Sequence, residues 1–107
     1  MKNQNTETVK TVIAKNYNRI NNTVDVASIM NCNYETLREK FPKDTGITIR
    51  QYLFDVRCRY VKHYLKTTDW KLYRIAKTTG FKDEKHLGRV FQKIVGMSPD
   101  NYRNNLK

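Results

Sequence analysis

Phe41-Pro42-Lys43-Asp44-Thr45-Gly46-Ile47-Thr48-Ile49-Arg50-Gln51-Tyr52 and Phe91-Gln92-Lys93-Ile94-Val95-Gly96-Met97-Ser98-Pro99-Asp100-Asn101-Tyr102 state one pattern twice. Phe, Gly, a hydroxyl residue and Tyr recur at an offset of 50. Leu37 matches Leu87 at the same offset, while Val26-Ala27 matches Ile75-Ala76 at 49. One residue is therefore inserted in the second copy, between its short helix and Leu87. Each copy reads as a short helix bearing a small alanine, a tight turn, a second helix anchored by Leu and Phe, a glycine stop and a capped third helix. Alanine lets two helices cross closely, and a tight turn sets them at a steep angle. That is the plan of a helix-turn-helix, whose second helix enters the DNA major groove.

The rest of the chain fits around these copies. Val9, Val12, Ile13, Tyr17 and Ile20 recur at helical spacing and predict a helix over 6–20. Asp25 to Met30 reads as a short helix with Val26, Ala27 and Met30 inward. Asn31-Cys32-Asn33 is a tight connection, and Asn33 caps the next helix, where Leu37 and Phe41 share a face. Proline disfavours helical geometry in the preceding residue and removes a donor, so Pro42 is expected to end or kink that helix near Phe41. Thr48 with Gln51 fits a capping box that opens a long helix to about Lys66. Tyr52, Val56, Tyr60 and Tyr64 form its apolar stripe with Leu53, Val61 and Leu65 beside them, leaving Arg50, Arg57, Arg59, Lys62 and Lys66 to other faces. Leu72, Ile75 and Ala76 mark a short helix ending at Gly80. Residues 83–95 form a longer one with Leu87, Val90, Phe91 and Ile94 on one side. Ser98 caps a last short helix with Pro99 in its first turn. Residues 1–6 and 104–107 read as flexible ends. Nothing alternates with period two, so the expected fold class is all-α.

Composition narrows the function. The 107 residues suit one domain, and a formal net charge of +11 favours a polyanion: DNA, RNA or an anionic membrane surface. No apolar run approaches a membrane span and the N-terminus lacks a signal h-region, so a cytoplasmic protein with no membrane partner is expected. Cys32 and Cys58 form no CxxC and have no His at metal-ligand spacing, which leaves reduced thiols and no metal. His63 has no catalytic partner, and no triad, paired-carboxylate or phosphate-loop arrangement stands out. The expectation is a non-enzyme with no cofactor and no small-molecule site.

The second copy carries a family resemblance. Leu72-Tyr73-Arg74-Ile75-Ala76-Lys77-Thr78-Thr79-Gly80-Phe81 places Ile-Ala before Gly-Phe. Arg89-Val90-Phe91, then Gly96-Met97-Ser98-Pro99, then Tyr102-Arg103 follow at the spacing of the AraC/XylS signature. The first copy is similar more loosely, through Ala27, Leu37, Phe41, Gly46, Tyr52, Leu53 and Arg57. The resemblance covers roughly residues 7–103 and implies a bacterial DNA-binding transcription regulator, in most members an activator. It implies about seven helices in two homeodomain-like helix-turn-helix subdomains: a first unit at about 7–47, a linker helix at about 48–66 and a second unit at about 69–103. Both recognition helices would then meet successive major-groove segments of double-stranded DNA, roughly 34 Å apart. RNA polymerase is the implied partner, the chain a monomer, and its place the nucleoid.

The resemblance also assigns roles. In the second recognition helix Glu84, Lys85, His86 and Arg89 would face base edges. Arg89 is the first choice because a guanidinium pairs bidentately with guanine O6 and N7. In the first, Glu35, Thr36, Arg38 and Glu39 take that place. Glutamate can accept from cytosine N4 but is repelled by phosphate, and the family often carries Arg where Glu39 stands. Backbone contacts would come from Asn33, Tyr34, Lys43, Arg50, Lys71, Lys82, Asp83, Lys93, Ser98 and Arg103. Asp83 would take over the capping work of the small polar residue that the family often has where Lys82 stands. Trp70 reads as packing. Two other readings remain: a protein-interaction module with weak DNA reading, and an architectural nucleic-acid binder without sequence preference.

Overall fold

Among residues 6–106, the span that the computed structural model describes, every regular element is an α-helix. They are α1 Thr6–Asn16, α2 Val24–Met30, α3 Tyr34–Thr45, α4 Ile49–Thr67, α5 Leu72–Thr79, α6 Glu84–Val95 and α7 Pro99–Asn105. They gather into two compact units, Met1–Val56 and Arg57–Lys107. The boundary between them falls within α4, which is continuous. The loose end read at residues 1–6 lies outside the described residues except for Thr6, whose hydroxyl donates to Asp44 at 2.5 Å. At the other end α7 continues through Asn105, so part of the expected loose tail is helical, and Lys107 lies outside the described residues.

The first unit buries Val9, Ile13, Ile20, Val26, Ala27, Leu37, Phe41, Ile49, Leu53 and Val56. Helix α1 stops four residues short of Ile20. The Asn16 side chain donates to the Val12 carbonyl at 2.8 Å, and the N–H groups of Arg19 and Ile20 turn back onto the Asn16 carbonyl. Asparagine's local bonding competes with the helix ladder, so Ile20 enters the core from a turn. Pro42 does not end α3 at Phe41. Its ring leaves one carbonyl, that of exposed Arg38, without an intrahelical donor, and water can take that place. The last turn closes through the Gly46 N–H on the Pro42 carbonyl at 2.7 Å and the Thr45 hydroxyl on the Phe41 carbonyl at 2.8 Å.

The capping box at Thr48 is reciprocal: the Gln51 side chain accepts from the Thr48 N–H at 2.8 Å and the Thr48 hydroxyl from the Gln51 N–H at 3.0 Å. Along α4 the buried set is Ile49, Leu53, Val56, Arg57, Cys58, Val61 and Leu65. Tyr60, expected inward, is exposed. Arg57, expected outward, is only 4% exposed, and its guanidinium lies 5.6 Å from the centre of the Phe81 ring. A cation over an aromatic face tolerates burial that a bare charge would not.

The second unit buries Cys58, Val61, Leu65, Ile75, Ala76, Phe81, Leu87 and Phe91. Thr79, fully buried, satisfies its hydroxyl on the Ile75 carbonyl at 2.7 Å. The repeat survives in the packing: Phe41 meets Tyr52 edge-on at 5.7 Å, and Phe91 meets Tyr102 at the same distance. Ile94, expected inward, is exposed. In the last turn of α4, Tyr64 stacks on Trp70 at 5.0 Å, and the Arg74 guanidinium covers the Trp70 ring at 3.9 Å. Trp70 is thus packed between an aromatic and a cation.

Candidate nucleic-acid interface

The recognition helices α3 and α6 are set up by the same device. Helix α2 ends with Asn31 in the left-handed region at φ 57, and α5 ends with Gly80 at φ 90. The next residue then donates back across the turn, Cys32 to the Ala27 carbonyl and Phe81 to the Ala76 carbonyl, each at 3.0 Å. Both are Schellman closures, which reverse the chain in the fewest residues. Their partners match at an offset of 49, while the caps of the following helices match at 50. Asn33 accepts from the Thr36 N–H at 3.1 Å, and Asp83 from the His86 N–H at 2.8 Å. The inserted residue is therefore Lys82, which is exposed between Phe81 and the cap.

That hydrogen bond from the His86 N–H holds the Asp83 carboxyl below the usual carboxylate range, helped by the charges of Lys82 and Arg89. Ser98 likewise caps α7 by accepting from the Asn101 N–H at 3.1 Å. Lys71, at the head of α5, is exposed and makes no side-chain cap bond.

On α6, Glu84, Lys85, Arg89, Gln92 and Lys93 are exposed. Helical spacing sets Arg89 opposite the buried pair Leu87 and Phe91. Arg89 makes no ion pair among the described residues. His86 departs from expectation: it is half-buried, with its ring edge-on to Phe81 at 5.4 Å, and so is a packing residue of the turn. Gln92 shares the outward sweep of Lys85 and Arg89 and was not among the sequence candidates; its i+3 spacing from Arg89 is the signal that finds it.

On α3, Glu35, Thr36, Arg38 and Glu39 are exposed. Arg38 is not free. Its guanidinium is paired with the Glu35 carboxylate, which raises the arginine pKa through a hydrogen bond and its charge. Tyr34 turns its hydroxyl onto that of Thr23 at 2.7 Å. Lys43 is exposed in the last turn, and Arg50 lies over the Phe54 ring at 5.0 Å.

The register of 50 makes the two helices directly comparable. Glu35 stands where α6 has Lys85, Glu39 where it has Arg89, and Arg38 where it has Gly88. At the first two of these positions the charge is inverted. The units follow suit: residues 57–107 hold thirteen Lys and Arg against four Asp and Glu, a net +9, and residues 1–56 hold eight against six, a net +2.

Arg103 does not face outward as a phosphate contact. Its Nε donates to the Leu65 carbonyl at 3.3 Å, Nη1 to Trp70 at 2.7 Å and Nη2 to Thr68 at 3.0 Å. It closes the C-terminus of α4, where helix carbonyls lack intrahelical donors and carry partial negative charge.

A helix-turn-helix domain family model matches residues 26–105. The melibiose operon regulatory protein of Escherichia coli K12 is 34% identical over 91 residues, 85% of this chain and 30% of that protein. The HTH-type transcriptional activator RhaR of Enterobacter sp. strain 638 is 32% identical over 72 residues, 67% of this chain and 26% of that protein. The chain thus spans less than a third of the length of these curated relatives. Among solved structures, the C-terminal domain of the two-component response regulator yesN from Fusobacterium nucleatum superposes with a TM-score of 0.82 at 27% identity, covering 91% of this chain and 95% of that one. The DNA-binding domain of AdpA, solved in complex with a target DNA, gives a TM-score of 0.80 at 23% identity, covering 92% and 88%; that likeness is one of fold.

Proposed function

The chain belongs to the AraC-type helix-turn-helix family of DNA-binding domains, and from that premise we propose that it recognises a specific double-stranded DNA sequence chiefly through α6. The observation that carries this reading is Arg89: exposed, without an ion-pair partner among the described residues, and opposite the buried face of a capped helix in a unit of net charge +9. A free guanidinium in the major groove pairs with guanine O6 and N7. Lys85 and Gln92 reach neighbouring base edges, while Lys71, Lys82 and Lys93 neutralise phosphates. Asn33, Asp83 and Ser98 order the helix N-termini that approach the backbone, and Lys43 and Arg50 supply the cations of the first unit.

Helix α3 reads less. Glu35 occupies Arg38, leaving Thr36 and Glu39, and a carboxylate in the groove is selective only where it meets cytosine N4. This inversion of charge favours a division of labour in which the second unit supplies affinity and the first refines sequence choice or touches a protein. The chain acts as a monomer in the nucleoid and activates transcription from a site beside a promoter by contact with RNA polymerase. The name of RhaR, a transcriptional activator, supports the sign of regulation.

Selection of bound sequences from random duplex DNA tests the reading. It should be followed by titration of the winner and a scrambled duplex at near-physiological salt. A specific binder prefers its site by about a thousandfold or more. Two enriched blocks would mean that both units read bases; one block would leave α3 on the backbone. Equal affinity for winner and scrambled duplex would refute the proposal.

A further inference from the structure

Gly88 is the fifth of the twelve residues of α6, and it sits in the helix interior where glycine is a poorer helix former than any residue but proline. The fold does not ask for it. A Cβ built at this position would meet nothing within 4 Å, and the backbone there is not in the left-handed region. The duplicated unit supplies an internal control: at the same register position α3 carries Arg38, exposed. Neither packing within the chain nor backbone conformation accounts for the missing side chain, so its reason lies outside the chain.

The size of the groove suggests what that is. An α-helix with its side chains is about 10–12 Å across, and the major groove is about 12 Å wide. A recognition helix therefore fills the groove from wall to wall, and one absent side chain brings it closer to one wall. With Arg89 aimed at the groove floor, Gly88 lies about 100° round the helix, facing a wall between Lys85 and Gln92. We infer that Gly88 is a point of close backbone approach: a deoxyribose-phosphate segment of one DNA strand packs on its Cα, which seats α6 deeply enough for Arg89 to reach base edges. Helix α3, with Arg38 in that place, cannot seat in the same way. The inference rests on the DNA-binding reading and adds a positioning residue to it.

The test compares the unaltered chain, Gly88→Ala and Arg89→Ala on the selected duplex, with thermal unfolding measured for each. Gly88→Ala should raise Tm by about 4–8 °C, because alanine is the better helix former and nothing obstructs it. It should also weaken binding to the selected duplex on the order of tenfold, the scale of one mismatched base pair, while leaving affinity for the scrambled duplex unchanged. A protein that becomes more stable and binds its own site worse has lost room for a partner. A raised Tm with unchanged affinity overturns the inference, and a lowered Tm overturns it by marking the glycine as structural. If Arg89→Ala loses a base preference while Gly88→Ala binds normally, the role of Gly88 fails and the DNA reading stands. If the unaltered chain selects no sequence, both fall.

Discussion

Replacing Arg103 separates two roles that one arginine could have. Its three hydrogen bonds reach carbonyls at the end of α4 and in the segment that follows. Hydrogen bonds to charged groups contribute about 1.5–3 kcal/mol each when well shielded. Arg103 is half-buried, and water would replace part of what is removed, so about 1 kcal/mol per bond is the reasonable scale and about 3 kcal/mol the total. A domain near this size loses about 4 °C per kcal/mol, which puts Arg103→Ala about 12 °C below the unaltered protein. Arg103→Lys should recover little, since one ammonium cannot reach three diverging acceptors. Circular dichroism on heating reads the loss. DNA titration at low temperature over a range of salt should show the same slope for both proteins. An unchanged Tm together with a slope flatter by about 0.9 would mean that Arg103 serves a phosphate, and the inward staple would be refuted.

Arg89→Ala should remove the preference at one base pair, at a cost of about 1–3 kcal/mol in specific binding, with Tm nearly unchanged; equal loss on every sequence would reassign it to the backbone. Converting Lys71, Lys82 and Lys93 to Gln should flatten the salt dependence by about 0.9 for each phosphate no longer neutralised, whereas the same change at Lys40 and Lys43 should do less, because Lys40 is already 3.3 Å from Asp44; equal flattening would remove the division of labour. Leu87→Ala should destabilise by about 2–5 kcal/mol, since the side chain is fully buried where α6 meets its unit. The folded carboxyls of Asp44 and Asp83 lie below their ordinary range, the first through the Thr6 and Lys40 hydrogen bonds and the second through the His86 N–H. Their stabilisation is full above the unfolded value of about 3.9 and fades as pH falls through the lower folded value. Asp83→Asn keeps the cap and removes its share of that acid loss, so the denaturation midpoints of the two proteins should converge toward low pH.

Much of the fold was legible because the chain states it twice. The offsets of 50 and 49 located both recognition helices and bracketed the inserted residue between the short helix and Leu87, and Asn33, Thr48, Asp83 and Ser98 gave the caps. What misled was single-residue reasoning where context decides. Pro42 predicts a stop or a kink on local sterics; the stop does not occur, because the proline costs one bond on an exposed face and the helix runs on to Thr45. Tyr60 and Ile94 sit at apolar spacing yet lie off the buried line. Arg57 and Arg103 counted as surface charge, since composition does not reveal a ring or three carbonyls waiting inside. The outward set of α6 was mostly legible from its period, apart from Gln92 and the half-burial of His86. Gly88 carried no signal as a residue that acts by lacking a side chain.

The Arg103 staple also sets an order of assembly. Synthesis runs from the N-terminus, and by Val56 every core residue of the first unit has been made. The second unit is different. Its half of α4 cannot be closed until residue 103 has been added, since the groups that satisfy the Leu65, Thr68 and Trp70 carbonyls belong to that one late side chain. On a growing chain the more neutral half is complete in sequence while the more basic half still lacks its staple. A ribosome that stalls before Arg103 would hold a protein whose strongest claim on nucleic acid is charged but not yet shaped.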